Sequence, residues 1–461
     1  MLTVRTGPRT AGRGHAAAPS HLDALDGLRA AAAAAVLLTH VGALTGYTLA
    51  DNGPGSWAVS RGDIGVPVFF VLSGLLLYRP WAAAALTGRP AREVTAYLRR
   101  RALRILPAYW AVVLIALPLL NPGPARHVWP WFQYLLLLQN YDPHPWWGGT
   151  GATGLAQMWS LVVEVSFYLV LPVLGAALTW FACRAGGRGD GGLSRRGRRL
   201  LAGIAVLAAG SFGWTALEYY PHPELWFGMT LPPLLIWFAV GMALAAVSVW
   251  AAAEPGSDGP VRRFCRSVAA SPGMCALIAG CAFAIACTPV AGPQFTNFVP
   301  GLWPTEIKTA LYTIVAAAVV APFAFQPQRA GWAPASRAAR VLGSRVPRFL
   351  GKISYGIFLW QFLAAYAFFA VFHLKTGFTG GSYNAAEVAA IGLAIAVLTI
   401  AAATASYYLI EQPAQQFGTP AGTLTEQPAG TVSEQPAGTV TEQPAGTGTG
   451  QAAGALRGRG E

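Results

Sequence analysis

Ten runs of predominantly apolar residues constrain this 461-residue chain more than anything else in it. They fall at about 28–49, 64–86, 104–120, 159–181, 200–217, 230–250, 268–290, 307–326, 350–372 and 386–410. Each is long enough, at about 1.5 Å of rise per helical residue, to cross all or most of a hydrocarbon core about 30 Å thick. Only 11% of the residues are charged and 54% are hydrophobic, whereas a soluble domain carries about 25% charged residues. The expected fold is therefore an all-α integral membrane protein, a bundle of about ten transmembrane helices. A shorter stretch, Trp129–Gln139, is too short to span comfortably. With Trp129, Trp131, Tyr134, Trp146 and Trp147 in or near it, it reads as an interfacial or re-entrant helix.

The net charge of +13 would suggest a nucleic-acid partner if it formed one basic face. Here it is broken into clusters between apolar runs, so topology explains it better and no nucleic-acid partner is expected. Threading the ten runs in alternation places all but four of the 32 Lys and Arg residues on one side. The four on the other side are Arg61, Arg126, Lys308 and Lys375. Positive residues stay cytoplasmic, so both termini are expected there, with the chain in the cell membrane. Residues 1–21 form a basic cytoplasmic tail without an apolar core, and the first apolar run reads as a retained signal-anchor. Residues 22–416 form the membrane domain. Residues 417–461 repeat EQPAGT at Glu426–Thr431, Glu434–Thr439 and Glu442–Thr447, with almost no large apolar side chains. Such a segment cannot bury enough surface to offset chain ordering, so a disordered tail is expected. The five cysteines form no CxxC pair, so neither a disulfide framework nor a metal site is expected, nor a permanently bound cofactor.

Ionisable residues inside apolar runs are costly and mark candidate functional sites. Arg29 and His40 lie eleven residues apart in the first run, on nearly the same helical face and roughly 16 Å apart along the axis. If Arg29 sits at one surface, His40 lies near the midplane; otherwise the two are an anchor and a helix–helix hydrogen bond. Arg101 and Arg104 open the third run in RALRILPAYW, on adjacent turns of one face and at what reads as a helix N-terminus, which favours anions. They are either an anion site or ordinary positive-inside charge. In the second run Ser73-Gly74 allows close backbone approach and reads as packing, with Ser73 also a candidate for orienting a substrate. Glu164, in WSLVVEVSFYLVLP, lies about 8 Å inside the fourth run and could orient His40, contact a substrate hydroxyl, or bond a neighbouring helix. Gln361, in GKISYGIFLWQ after Tyr355, reaches a depth comparable to His40. Glu411, in SYYLIEQP, could pair with Arg29, Arg101 or Arg104.

Taken together, Arg29-x10-His40, FFVLSG, the RxxR of Arg101 and Arg104, WSLxVExxFYLxxP, GxISYGIFLW and SYxxIExP resemble the acyltransferase type-3 family of membrane O-acyltransferases. The resemblance runs in order from about Leu22 to Phe417. It implies transfer of an acyl group, often acetyl, from cytoplasmic acyl-CoA to a hydroxyl of a glycan, lipid or secondary metabolite. It implies CoA phosphates on Arg29, Arg101 and Arg104, and a thioester brought to His40 acting as base or acyl carrier. Glu164 is then a catalytic or orienting partner, with Ser73, Tyr355, Gln361 and Glu411 orienting or contacting substrate. The family commonly has His at the position of Gln361. Some members carry an extracytoplasmic hydrolase-like domain; here only the short tail follows, so transfer is expected to finish within the membrane domain. The rivals are a transporter or flippase using the same intramembrane His and Glu, and a membrane glycosyltransferase. The glycosyltransferase would call for acidic clusters that the scattered Asp51, Asp63 and Asp142 do not supply.

Overall fold

A computed structural model describes residues 21–49, 53–90, 93–149, 151–184, 190–220, 228–256, 258–293, 301–325 and 336–417. The tail expected to be disordered and the basic N-terminal segment lie outside these residues. Among the described residues there is no strand. Among the same residues nine helices are long and apolar enough to cross a membrane, and one bent pair would make a tenth if it is a single broken span. The chain is a multi-pass membrane protein. The first four spans are α1 (His21–Leu44), α3 (Gly65–Thr87), α4 (Val94–Leu120) and α6 (Met158–Cys183). Between them lie the short α2 (Pro54–Ser60) and α5 (Val128–Leu135). Then come α7 (Asp190–Tyr219), α8 (Leu231–Ala253), the bent pair α9 (Pro260–Ala270) and α10 (Pro272–Ala286), and α11 (Leu302–Ala324). The short α12 (Arg337–Leu342) and α13 (Arg345–Lys352) lead into the spans α14 (Ser354–Val371) and α15 (Ala385–Ser406).

Three boundaries depart from the sequence reading. The run at 268–290 does not make one straight span. α9 and α10 meet at 73°, because Pro272 cannot donate a backbone hydrogen bond and its ring disfavours helical geometry at Ser271. The run at 350–372 breaks at Ile353, so the basic α13 lies apart from α14. Most consequential, α4 starts at Val94, so Arg101 and Arg104 sit two to three turns inside the helix and not at its N-terminus. The segment Val94–Arg101 stays helical because arginine, leucine and alanine are good helix formers. Any anion affinity there rests on the guanidinium charges and not on free N–H groups. The aromatic stretch does form a short helix, α5, anchored by Tyr109, whose hydroxyl donates to the Tyr134 carbonyl at 2.6 Å. The Tyr134 hydroxyl accepts from the Ala152 N–H at 2.9 Å, and burial pushes the Tyr134 phenol up.

Glycine sets the closest crossing. A Cβ on Gly74 would stand 2.2 Å from the Phe238 carbonyl oxygen, and one on Gly241 would stand 2.1 Å from that of Val71. The α3 and α8 backbones therefore touch where only hydrogens fit, as close helix packing in lipid requires. This is the packing role expected of Ser73-Gly74, carried by Gly74 alone. Gly74→Val should destabilise the protein by about 2–3 kcal/mol or more through overpacking. Thermal unfolding of the purified protein in detergent checks this; an unchanged midpoint would contradict the crossing. At the opposite end from the α1 start, two of the four outlying positive residues are used internally. Arg61 is buried and donates to the Gly292 carbonyl at 2.7 Å. Lys308 donates to Asp63 at 2.7 Å, and Tyr312 also donates to Asp63.

Candidate active site

The first half of α1, the first half of α3, α4, α6 and the start of α14 enclose a cavity of about 200 Å³. Its charged part carries Arg29 from α1, Arg101 and Arg104 from α4, and Glu164 with Tyr168 from α6. These groups converge because their spacings are helical. Arg101 and Arg104 are three apart, as are Leu161 and Glu164, while Glu164 and Tyr168 are four apart, so each set shares one face. The neighbouring faces hold the helices together: on α4, Ile105, Ala108, Tyr109 and Val112 are buried.

The guanidiniums are poorly matched with protein acceptors. The contact of Arg29 Nη1 with Asp26 Oδ1 is long, 3.5 Å. Arg104 forms no ion pair or hydrogen bond among the described residues. Arg101 lies over the Tyr168 ring, 5.9 Å from its centroid, and its Nε is buried without an acceptor. A buried donor left unpaired is expensive, so three cations facing one cavity form a site that an anionic ligand would complete.

Glu164 belongs to this end of the cavity. Its Oε1 accepts from Ser73 Oγ at 2.6 Å and from the Tyr168 hydroxyl at 2.5 Å. Neither hydrogen bond involves His40. Tyr168 and the cavity-lining Ser160 and Ser354 were missed by sequence reasoning. The four-residue spacing from Glu164 was the available signal for Tyr168. Tyr355 lines the cavity and donates its hydroxyl to the Ile105 carbonyl at 2.8 Å, tying α14 to α4. Glu411 does not line the cavity, though it lies within electrostatic reach of Arg104. It is buried in a π-helical turn, Tyr407–Glu411, and accepts from Ser406 Oγ at 3.4 Å. It makes no ion pair with the three arginines.

His40 and Gln361 form a second group. His40 Nδ1 is 3.0 Å from Gln361 Oε1, and the imidazole packs on Phe362 with ring centroids 4.5 Å apart. The tautomer follows from the next hydrogen bond. Gln361 Nε2 donates to the Phe358 carbonyl at 3.0 Å, which turns Oε1 toward the imidazole. An amide oxygen only accepts, so Nδ1 carries the proton and Nε2 keeps a free lone pair. The glutamine thus fixes which nitrogen of the neutral imidazole carries the proton and leaves Nε2 as the basic one. The cavity lining stops one helical turn short of this pair, since Phe358 lines it and Gln361 does not.

A bundle of spanning helices around a cationic cavity, with a hydrogen-bonded histidine held beyond it, defines a polytopic membrane protein with an internal site fit for an anionic ligand. The chain belongs to the acyltransferase domain family, whose profile matches residues 22–408. It is 26% identical over 263 residues to Nodulation protein 10 of Rhizobium leguminosarum bv. viciae, covering 50% of this chain and 64% of that protein. It is also 26% identical over 179 residues to Regulator of hypoxia-inducible factor 1 of Caenorhabditis elegans, covering 33% of this chain and 34% of that one. The chain thus matches less than two thirds of either relative. No solved structure gives a significant match.

Proposed function

We propose that this protein is a cell-membrane O-acyltransferase with both termini in the cytoplasm, and that it moves an acetyl or other short acyl group from cytoplasmic acyl-CoA to an acceptor hydroxyl. The observation that carries this reading is the convergence of Arg29, Arg101 and Arg104 on one cavity aligned with the His40–Gln361 pair. A long donor with phosphates at one end and a thioester at the other suits that arrangement. The phosphates occupy the three guanidiniums, bidentately where geometry allows. The pantetheine arm extends along the cavity toward His40. Nε2 of His40 takes the acceptor hydroxyl proton as the oxygen attacks the thioester carbonyl. The carbon–sulfur bond breaks, the sulfur leaves as thiolate and is protonated to CoA, and the acceptor becomes an ester. Of the roles open to Glu164, its bonds to Ser73 and Tyr168 support contact with bound substrate over orientation of His40. A glycan, lipid-linked sugar or secondary metabolite fits as acceptor, entering from the side opposite the arginines.

The reading is tested by mass spectrometry of cell-envelope glycans and secreted metabolites from cells with and without the protein. One species should lose the mass of a single acyl group when the protein is absent. Identical acylation in both samples, with the protein well expressed, would overturn it. The fixed tautomer has its own consequence. Gln361→Ala should lower turnover about tenfold by releasing the imidazole, and Gln361→His, which retains a ring partner at this position, should recover much of it. Initial rates for the two variants, compared with the parent, check this; equal loss in both would argue for a packing role.

A further inference from the structure

Between the charged part of the cavity and His40 lies an apolar level with its own construction. On α3, Phe69 stands one turn from Ser73, on the side away from the arginines. It packs against the cluster that Ala33, one turn beyond Arg29 on α1, forms with Ile353, Ile357 and Ala403. On α14, Phe358 stands one turn before Gln361 and gives its carbonyl to the Gln361 amide. Counted along their helices, both rings therefore fall between the level of Arg29 and Glu164 and that of His40 and Gln361. Both rings line the cavity and are only half-buried, although they sit inside a packed bundle. The wall beside them is rigid by contrast. Phe70 is 2% exposed and stacks on Phe238 at 4.4 Å, which stacks on Phe167 at 4.1 Å.

We propose that Phe69 and Phe358 form an acyl-length filter, an apolar constriction that a thioester must thread to reach His40 and that passes short acyl groups only. This rests on the acyl-CoA reading above. The polar donor needs only the arginine end, so the constriction has no part in recognising CoA. A two-carbon acyl group is slim enough to pass between two phenyl rings. A six-carbon chain would need space that the rings occupy, and an interior packed like a crystal yields such space only at a cost. The same rings keep bulk water from the imidazole while the donor is absent.

The test is equilibrium binding of CoA, acetyl-CoA and hexanoyl-CoA to the purified full chain in detergent. It compares the parent with Phe69→Ala, Phe358→Ala and the milder Phe358→Leu. The readout is the ratio of hexanoyl-CoA to acetyl-CoA affinity within each protein, so a general loss of binding does not enter it. Four further methylenes gaining burial should raise that ratio by about tenfold or more in an alanine variant, with Phe358→Leu in between. A ratio that changes less than threefold in every variant that still binds CoA overturns the filter. So does a parent that already binds hexanoyl-CoA more tightly than acetyl-CoA. If the folded parent binds neither CoA nor either thioester, the acyl-CoA reading itself has failed, and the filter falls with it.

Discussion

His40→Ala should reduce acyl transfer by about a thousandfold or more while leaving a folded protein. General-base catalysis by a positioned side chain contributes about 10²–10⁴ in rate, and the imidazole offers the basic nitrogen about one helical turn beyond the end of this cavity. The substitution is expected to be mild for the fold. His40 is half-buried, bonds a single side chain and packs on Phe362. Its removal leaves Gln361 Oε1 without a partner, a cost of about 1–3 kcal/mol, which detergent thermal unfolding would register as a modest shift. The rate of acyl-product formation per amount of folded protein checks the prediction. His40→Gln, which keeps a hydrogen bond to Gln361 within reach but has no titratable nitrogen, should be as inactive as the alanine variant. Activity retained in the glutamine protein would reduce His40 to a packing group.

Arg101→Ala together with Arg104→Ala should weaken the donor by about a hundredfold with a smaller effect on the rate at saturation. Hydrogen bonds to charged groups contribute about 1.5–3 kcal/mol each. Arg101 has a buried Nε with no protein acceptor, so the site loses little internal bonding when it is removed. The effect belongs in KM for the donor because phosphates lie far from the reacting carbon and are held equally in ground and transition states. Raising ionic strength should weaken the parent's donor binding and affect the double variant less. Equal KM values in the parent and the double variant would remove the arginines from donor recognition.

Much of this was legible in the chain because its signals are local. Apolar runs of membrane length, and charge clusters between them, set the spans. The eleven-residue spacing set Arg29 and His40 on one face. The partner of His40 at Gln361 was legible as a shared depth, since both distances count from the same side. Other features depend on how helices meet, which no single segment encodes. Glu164 faces Ser73 and Tyr168 and not His40, because α6 meets α3 below the level of the imidazole. Glu411 lies near enough to Arg104 to feel its charge but forms no ion pair with it, a distance that the π-helical turn sets and the sequence does not show. The start of α4 was misread because a run of arginines interrupts the apolar pattern without interrupting the helix. The break at Pro272 carried its own local signal, a proline inside an apolar run, but length alone did not reveal it. Phe69 and Phe358 look like ordinary core residues in the sequence, and only their shared exposure to one cavity distinguishes them.

The central claim is that an arginine-lined cavity holds the donor and presents it to a histidine one helical turn beyond, which performs transfer. The most direct measurement is the initial rate of label transfer from radiolabelled acetyl-CoA to extracted envelope glycans and lipids by the purified protein in liposomes. The parent and His40→Ala should be run side by side at matched folded amounts. The account predicts saturable transfer by the parent and about a thousandfold less by the variant. A folded His40→Ala protein that transfers label as fast as the parent would contradict it.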